Sequence, residues 1–255
     1  MRLAATIARY TLLEAVRTRL PLLVVSAILL LVSASLFAQQ LAIAEGTRFQ
    51  IGLYAAGARL GAVFIAGLYV LASMTREFDD KGLDVMLALD LPRAHYLLGK
   101  LAGYLAIGML LAAAAALPLA FAAPWCAALQ WAISLGLELS VVIAFALFCI
   151  VSLGHLTMAA SLMAGFYLLG RSLAAVRLMS ANPIAGGDTL AHQVMHWTAE
   201  GLALLMPAFD EWTRTAWVVD APADWTHIAV LAGHGALYVM LLAAAAMFDF
   251  YRKDF

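Results

Sequence analysis

The sequence predicts an all-α, polytopic membrane protein with six transmembrane helices. Three observations carry that expectation. First, 65% of the 255 residues are hydrophobic and 12% charged, with a mean hydropathy of +0.93; soluble domains average roughly 45–50% apolar residues, so a water-facing shell cannot be built from this chain. Second, the apolar residues fall in long runs, each near the roughly 20 residues a helix needs to cross a hydrocarbon core of ~30 Å. Third, basic residues gather between alternate runs, the pattern of a chain threaded back and forth through a bilayer. A net charge of −1 without a basic stripe argues against a nucleic-acid partner.

The first 20 residues, "MRLAATIARYTLLEAVRTRL", place Leu3, Ile7, Tyr10, Leu13 and Val16 on one stripe and Arg2, Arg9, Arg17 and Arg19 off it. That pattern predicts an interfacial amphipathic elbow helix over 1–20. The first apolar run begins only at Pro21, so a cleaved secretory leader is not expected. The six spans are expected at 21–38, 54–74, 98–122, 126–151, 155–175 and 227–248. Small residues such as Gly57 and Gly61, and the alanines of "LLAAAAALPLA", favour close helix approach in lipid. Cys126 and Cys149 lie on one predicted helix, too far apart to bridge.

Orientation follows from the basic residues. Arg2, Arg9, Arg17, Arg19, Arg76, Lys81, Arg93, Lys100, Arg252 and Lys253 fall on the side of the termini, against Arg48, Arg59, Arg171, Arg177 and Arg214 on the other. Both termini are therefore expected in the cytoplasm. The outer side then holds a short segment at 39–53, a tight turn near Pro124, and a long cap over 176–226. In that cap Asp188 is a candidate N-cap for a helix running to Pro207, with Leu190, Val194, Trp197 and Leu205 on one flank. Trp197, Trp212, Trp217 and Trp225 are expected at headgroup level, the cap lying on the membrane. The chain reads as one transmembrane domain, 1–255.

The stretch "TREFDDKGLDVMLALDLPRAHYLLGK", Thr75 to Lys100, holds nine charged residues between two apolar runs. Glu77, Asp79, Asp80, Lys81 and Asp84 crowd the start of a short helical pattern whose Leu83, Met86, Leu87 and Leu89 form an apolar ridge, and Pro92 ends it. Its order of residues, Arg76-Glu77, Lys81-Gly82, Met86 to Leu89, Leu91-Pro92-Arg93 and Leu97 to Lys100, resembles the loop between the second and third spans of ABC-2-type transporter permeases. Leu83 stands where that family usually has threonine. The layout of the whole chain is similar as well, and the outer "LALLMPAFDEW" looks like a stretch found in the subgroup that includes the permease for nitrous-oxide-reductase maturation.

The resemblance implies a permease subunit of an exporter in the cytoplasmic membrane of a prokaryote. It would dock an ATPase through a coupling loop at 75–98, with Glu77, Lys81, Gly82, Met86, Leu87 and Pro92 as the docking residues. Two ATPase subunits carrying ATP and Mg, a second permease subunit, and membrane lipid are the implied partners. No cofactor is expected on this chain: it has no G-x-x-x-x-G-K-[ST] phosphate loop, and "LLGKLAG" lacks the first glycine and the hydroxyl residue.

Outside that loop, Glu138 in "AISLGLELSVV" and His234 in "LAGHGALY" are titratable groups deep in apolar runs, read either as a structural hydrogen bond or as candidates for a substrate path or gate. Their predicted depths leave a direct pair open. Asp188, His192, His196 and Glu200 recur at i,i+4, the ordinary pattern of a solvated polar face; a zinc ion shared by His192 and His196 is the minor reading. Arg59 and Arg171 are expected to snorkel to headgroups, an anionic-substrate contact being the other reading. Two further functions stay open on sequence: a membrane-embedded enzyme using Glu138, His234 or the His192/His196 pair, and a non-transporting scaffold presenting the outer cap.

Overall fold

The computed structural model describes residues 2–43, 45–79, 93–181, 197–198, 200–202 and 206–252. The described residues are mostly helical with no strand, and six of their helices are long and apolar enough to cross a membrane. In chain order they form α1 (Arg2–Arg17), α2 (Leu20–Leu41), α3 (Gly46–Asp79), α4 (Arg93–Ala122), α5 (Trp125–Leu153), α6 (Leu156–Ala181), the short α7 (Ala216–Val219) and α8 (Trp225–Arg252). Each of the six expected spans is present as α2, α3, α4, α5, α6 and α8.

The arrangement is concentric around α5. In its most apolar window 72% of the residues are buried, against 6% in α2, so α5 is the core helix and α2 a peripheral one. Helices α3, α4, α6 and α8 all pack on α5. Its Trp131, Leu135, Leu139, Val142 and Leu147 are fully enclosed and meet Val63, Leu71 and Tyr104 from the neighbours. On α2 only Ser35 is buried, and the exposed Leu22, Leu29, Leu30 and Phe37 suit a lipid-facing surface.

Helix α3 runs well beyond its expected 54–74. At 34 residues it is roughly 51 Å long, more than a bilayer core requires. The extra turns at its start are held by tertiary contact: Ile51 and Tyr54 are buried, and Gly52 faces Thr215 and Val219 of the outer segment. The Tyr54 hydroxyl donates to Ala115 O at 2.9 Å, beside the α4 turn that Pro118 deprives of a backbone donor. In place of the expected 39–53 connection, α2 ends at Leu41 and α3 begins at Gly46.

The elbow helix is present but not seated as its apolar stripe implies. Leu3, Tyr10, Leu13 and Val16 are exposed, free to enter lipid, whereas the face packed on α4 is Ile7, Ala8, Thr11 and Ala15. Two glycines of α4 make the approach close: a Cβ at Gly99 would lie 2.9 Å from Ala4 O and from Ile7 Cβ, and one at Gly103 2.7 Å from Thr11 Cβ. Such small-residue contacts bring backbones together where lipid removes the hydrophobic incentive for association.

The start of α1 and the end of α8 both lie beside the start of α4, at one end of the bundle. The last turn of α8 stacks Phe250 on Tyr96 near the start of α4, ring centroids 6.0 Å apart, and Asp249 accepts a hydrogen bond from Ser152 at the end of α5. At the opposite end Arg48 pairs with Glu45 and Asp220, and Gln130 donates to Ala223 O at 2.9 Å. There Asp224 accepts from the Thr226 hydroxyl at 2.6 Å, which holds its carboxyl below the usual range, and caps α8 by accepting the Thr226 backbone N–H at 3.4 Å.

Candidate functional site

The candidate site is a buried polar cluster between α3, α5 and α6, closed by the segment 206–215. Its core is Glu138, fully buried at the middle of α5, 13 residues after Trp125 and 15 before Leu153. Two pairs of polar residues one helical turn apart face each other, Ser134 and Glu138 on α5, Tyr167 and Arg171 on α6. Spacing of i,i+4 puts each pair on one stripe of its helix. The Tyr167 hydroxyl donates to Glu138 Oε1 at 2.9 Å, and Arg171 Nη1 lies 3.7 Å from the same oxygen.

Arg171 also reaches across the cluster to the outer segment. Its Nη1 donates to Phe209 O and, at 2.9 Å, to Trp212 O. Arg59, from α3, donates through Nη1 to Thr213 O at 2.9 Å. Thr213 in turn donates its backbone N–H to Ser134 Oγ at 2.8 Å. Three carbonyls of a non-helical segment are thus taken up by two guanidinium groups, the condition under which irregular backbone can sit inside a membrane protein. Thr213 has φ of 44°, a left-handed conformation that is strained for a β-branched residue and is held here by partners on both sides.

Apolar contacts seat the same segment. Pro207, Phe209, Trp212 and Thr213 are buried. Phe209 packs against Phe166, Tyr167 and Trp212 with centroids 5.5–5.8 Å apart. Gly170 is required where the segment crosses α6, since a Cβ there would lie 2.9 Å from Pro207 O and 2.7 Å from the Phe209 ring.

This corrects two expectations. Arg59 and Arg171 do not snorkel outward: they turn inward and hold backbone carbonyls. Of the four cap tryptophans, Trp197 and Trp225 are exposed as expected, but Trp212 and Trp217 are only 2% and 8% exposed because their stretch folds into the bundle. Nor do Glu138 and His234 pair. Glu138 Oε1 is engaged by Tyr167 and Arg171 on α6, while His234 is exposed on α8. Sequence reasoning singled out Glu138 and missed its partners; the legible signal was Tyr167 and Arg171 one turn apart in an apolar run.

Not all the hydrogen-bonding capacity of the cluster is filled. Glu138 Oε2 and Arg59 Nε have no hydrogen-bond partner in their buried positions. One carboxylate between two guanidinium groups is an anion-compatible set and not a cation site. Among the described residues no group of three His, Cys, Asp or Glu side chains could hold a metal ion. His192 and His196 lie outside the described residues.

A second polar cluster sits at the end of the bundle that carries the termini. Lys100, only 5% exposed, lies 2.8 Å from Glu77 Oε2 and 3.8 Å from Glu14 Oε2. The Tyr104 hydroxyl donates to Ser73 Oγ at 3.1 Å, and Ser73 donates to Glu14 Oε1 at 3.4 Å. Glu77, expected as a docking residue, is therefore turned into an ion pair that joins α1, the end of α3 and the start of α4. Lys81, Gly82, Met86, Leu87 and Pro92 lie outside the described residues.

No family model matches the chain, and no curated protein is significantly similar to it.

Proposed function

We propose that this chain is the membrane-spanning permease subunit of an ATP-driven ABC-2-type exporter, oriented with both termini in the cytoplasm of a prokaryote. It docks separate ATPase subunits through the loop at 75–98 and forms its substrate path with a second permease subunit. ATP and Mg belong to the ATPase partner, since the chain has no phosphate loop of its own.

The observation that carries this reading is the ion cluster flanking that loop. Glu77 at its start and Lys100 just beyond its end are bonded to each other and approached by Glu14 of the elbow helix. A push arriving between residues 79 and 93 therefore acts on α1, α3 and α4 together. In the other half of α3, Arg59 grips the outer segment through Thr213 O, so a shift of α3 pulls on the closure formed by residues 206–215. A rigid helix linking a receiving end to a closure held by side chains is the kind of element that can carry such coupling.

Leu87→Asp places a charge among the loop's apolar residues while leaving Glu77 and Lys100 unchanged in sequence, and tests docking directly. The variant is expected to insert in the membrane normally and to lose co-purification of its ATPase. A Leu87→Asp complex that assembles and hydrolyses ATP like the unaltered one would overturn the reading.

A further inference from the structure

Between the elbow helix and the bundle lie two adjoining apolar hollows that share Leu20, Ile65 and Tyr69 as walls. One, of about 240 Å³, is enclosed by residues from α1, α2, α3 and α4, among them Leu12, Ala15, Pro21, Val24, Ile107 and Leu111. The other, of about 370 Å³, is bounded by Thr18, Arg19, Leu23, Phe64, Leu68 and Arg76. Their rims open on the apolar flank of the molecule, where Val16, Leu23, Val25 and Leu68 are all more than 40% exposed.

The charges are placed unevenly around this groove. Arg19, in the break between α1 and α2, and Arg76, near the end of α3, are both exposed and both line the second hollow. Among the described residues neither makes an ion pair, whereas Lys100 and Arg48 nearby and at the far end are each paired with carboxylates. Between the two hollows the Tyr69 hydroxyl is buried without a hydrogen-bond partner. Its nearest polar neighbours are Thr18 and Ser73, whose own hydroxyls donate to Ala15 O and Glu14 Oε1.

An apolar groove open to lipid, with two exposed guanidinium groups at one end, matches a diacyl lipid with an anionic head. Guanidinium groups bind phosphate through paired, charge-assisted hydrogen bonds, and basic residues at a membrane surface attract anionic lipid. We propose that this groove is a binding site for one anionic phospholipid, its phosphate on Arg19 and Arg76 and its acyl chains in the two hollows. The lipid wedges the α1–α2 break against α3, so it braces the elbow helix. The site is separate from the Glu138 cluster and does not depend on the transport reading.

The test uses the full-length chain, delipidated in mild detergent and then supplied with phosphatidylglycerol or phosphatidylcholine. Native mass spectrometry is expected to show a one-to-one adduct with phosphatidylglycerol and none with phosphatidylcholine, and only the former is expected to raise Tm. Arg19→Gln with Arg76→Gln should weaken the phosphatidylglycerol adduct by about thirtyfold, as loss of two surface charges implies. Ile65→Trp, which fills the groove, should abolish it, and Arg48→Gln at the opposite end should not. Equal binding of the two lipids by the unaltered protein, which needs no variant to fold, would overturn the proposal. So would an undiminished adduct in the double variant. Efficient disulfide formation between Leu23→Cys copies with loss of the adduct would overturn it too, assigning the groove to a second copy of the chain.

Discussion

Glu138 is the residue on which the interior turns. An ionised group near the middle of a span costs roughly 2.5–3.5 kcal/mol on insertion scales unless it faces a partner, and here Tyr167 and Arg171 both face it. Glu138→Gln keeps an acceptor for Tyr167 but leaves Arg171 without a counter-charge. Because 20% of the Arg171 side chain is exposed, the loss should fall at the lower end for a broken buried pair, about 3 kcal/mol. Arg171→Gln should lose more, since Phe209 O and Trp212 O also lose their donor. Thermal unfolding in detergent of both variants and of Glu138→Gln/Arg171→Gln closes the cycle: the double loss should be smaller than the sum, and strict additivity would mean that the pair contributes nothing.

At the scale of elements, small residues decide contacts that apolar stripes only permit. Of the α1 stripe Leu3, Ile7, Tyr10, Leu13 and Val16, only Ile7 joins the face that meets α4, with Ala8, Thr11 and Ala15 over Gly99 and Gly103. Hydrophobic periodicity reports which face avoids water, and in a membrane protein lipid satisfies that face as well as protein does. Gly103→Val should therefore lift α1 off α4, with a stability loss of about 1–3 kcal/mol for overpacking. A cysteine placed at Ala8 should become reactive in that background. Gly233→Val on α8, where an added Cβ meets nothing within 4 Å, is the control; equal effects of the two would refute the close approach. The length of α3 has a similar origin: its first turns are fixed by the outer segment, which hydropathy does not see.

At the scale of the whole molecule, the bundle divides into an end that carries the termini and an end that carries residue 220. In intact cells, reporters fused after Met1 and at Phe255 should give the same cytoplasmic signal, and a cysteine at Asp220→Cys should react with an impermeant reagent from outside. Reporters of opposite sign at the two termini would refute the fold as well as the orientation. Between these ends α5 is the fixed post, and the closure at 206–215 is held to three spans by Arg59, Ser134 and Arg171.

The sequence by itself determined the helical class, the number of spans and their centres, because long apolar runs must satisfy every backbone hydrogen bond internally when water is absent. It also marked Glu138 as exceptional, since a carboxyl in such a run demands a partner. Only the tertiary structure decided who that partner is, for Tyr167 and Arg171 are about 30 residues away and nothing local aims them inward. The same holds for the inward turn of Arg59, the burial of Trp212 and Trp217, and the Glu77–Lys100 pair. Each depends on which faces of different helices meet, and a membrane interior leaves that choice to close packing and a few polar contacts, which hydropathy alone does not encode.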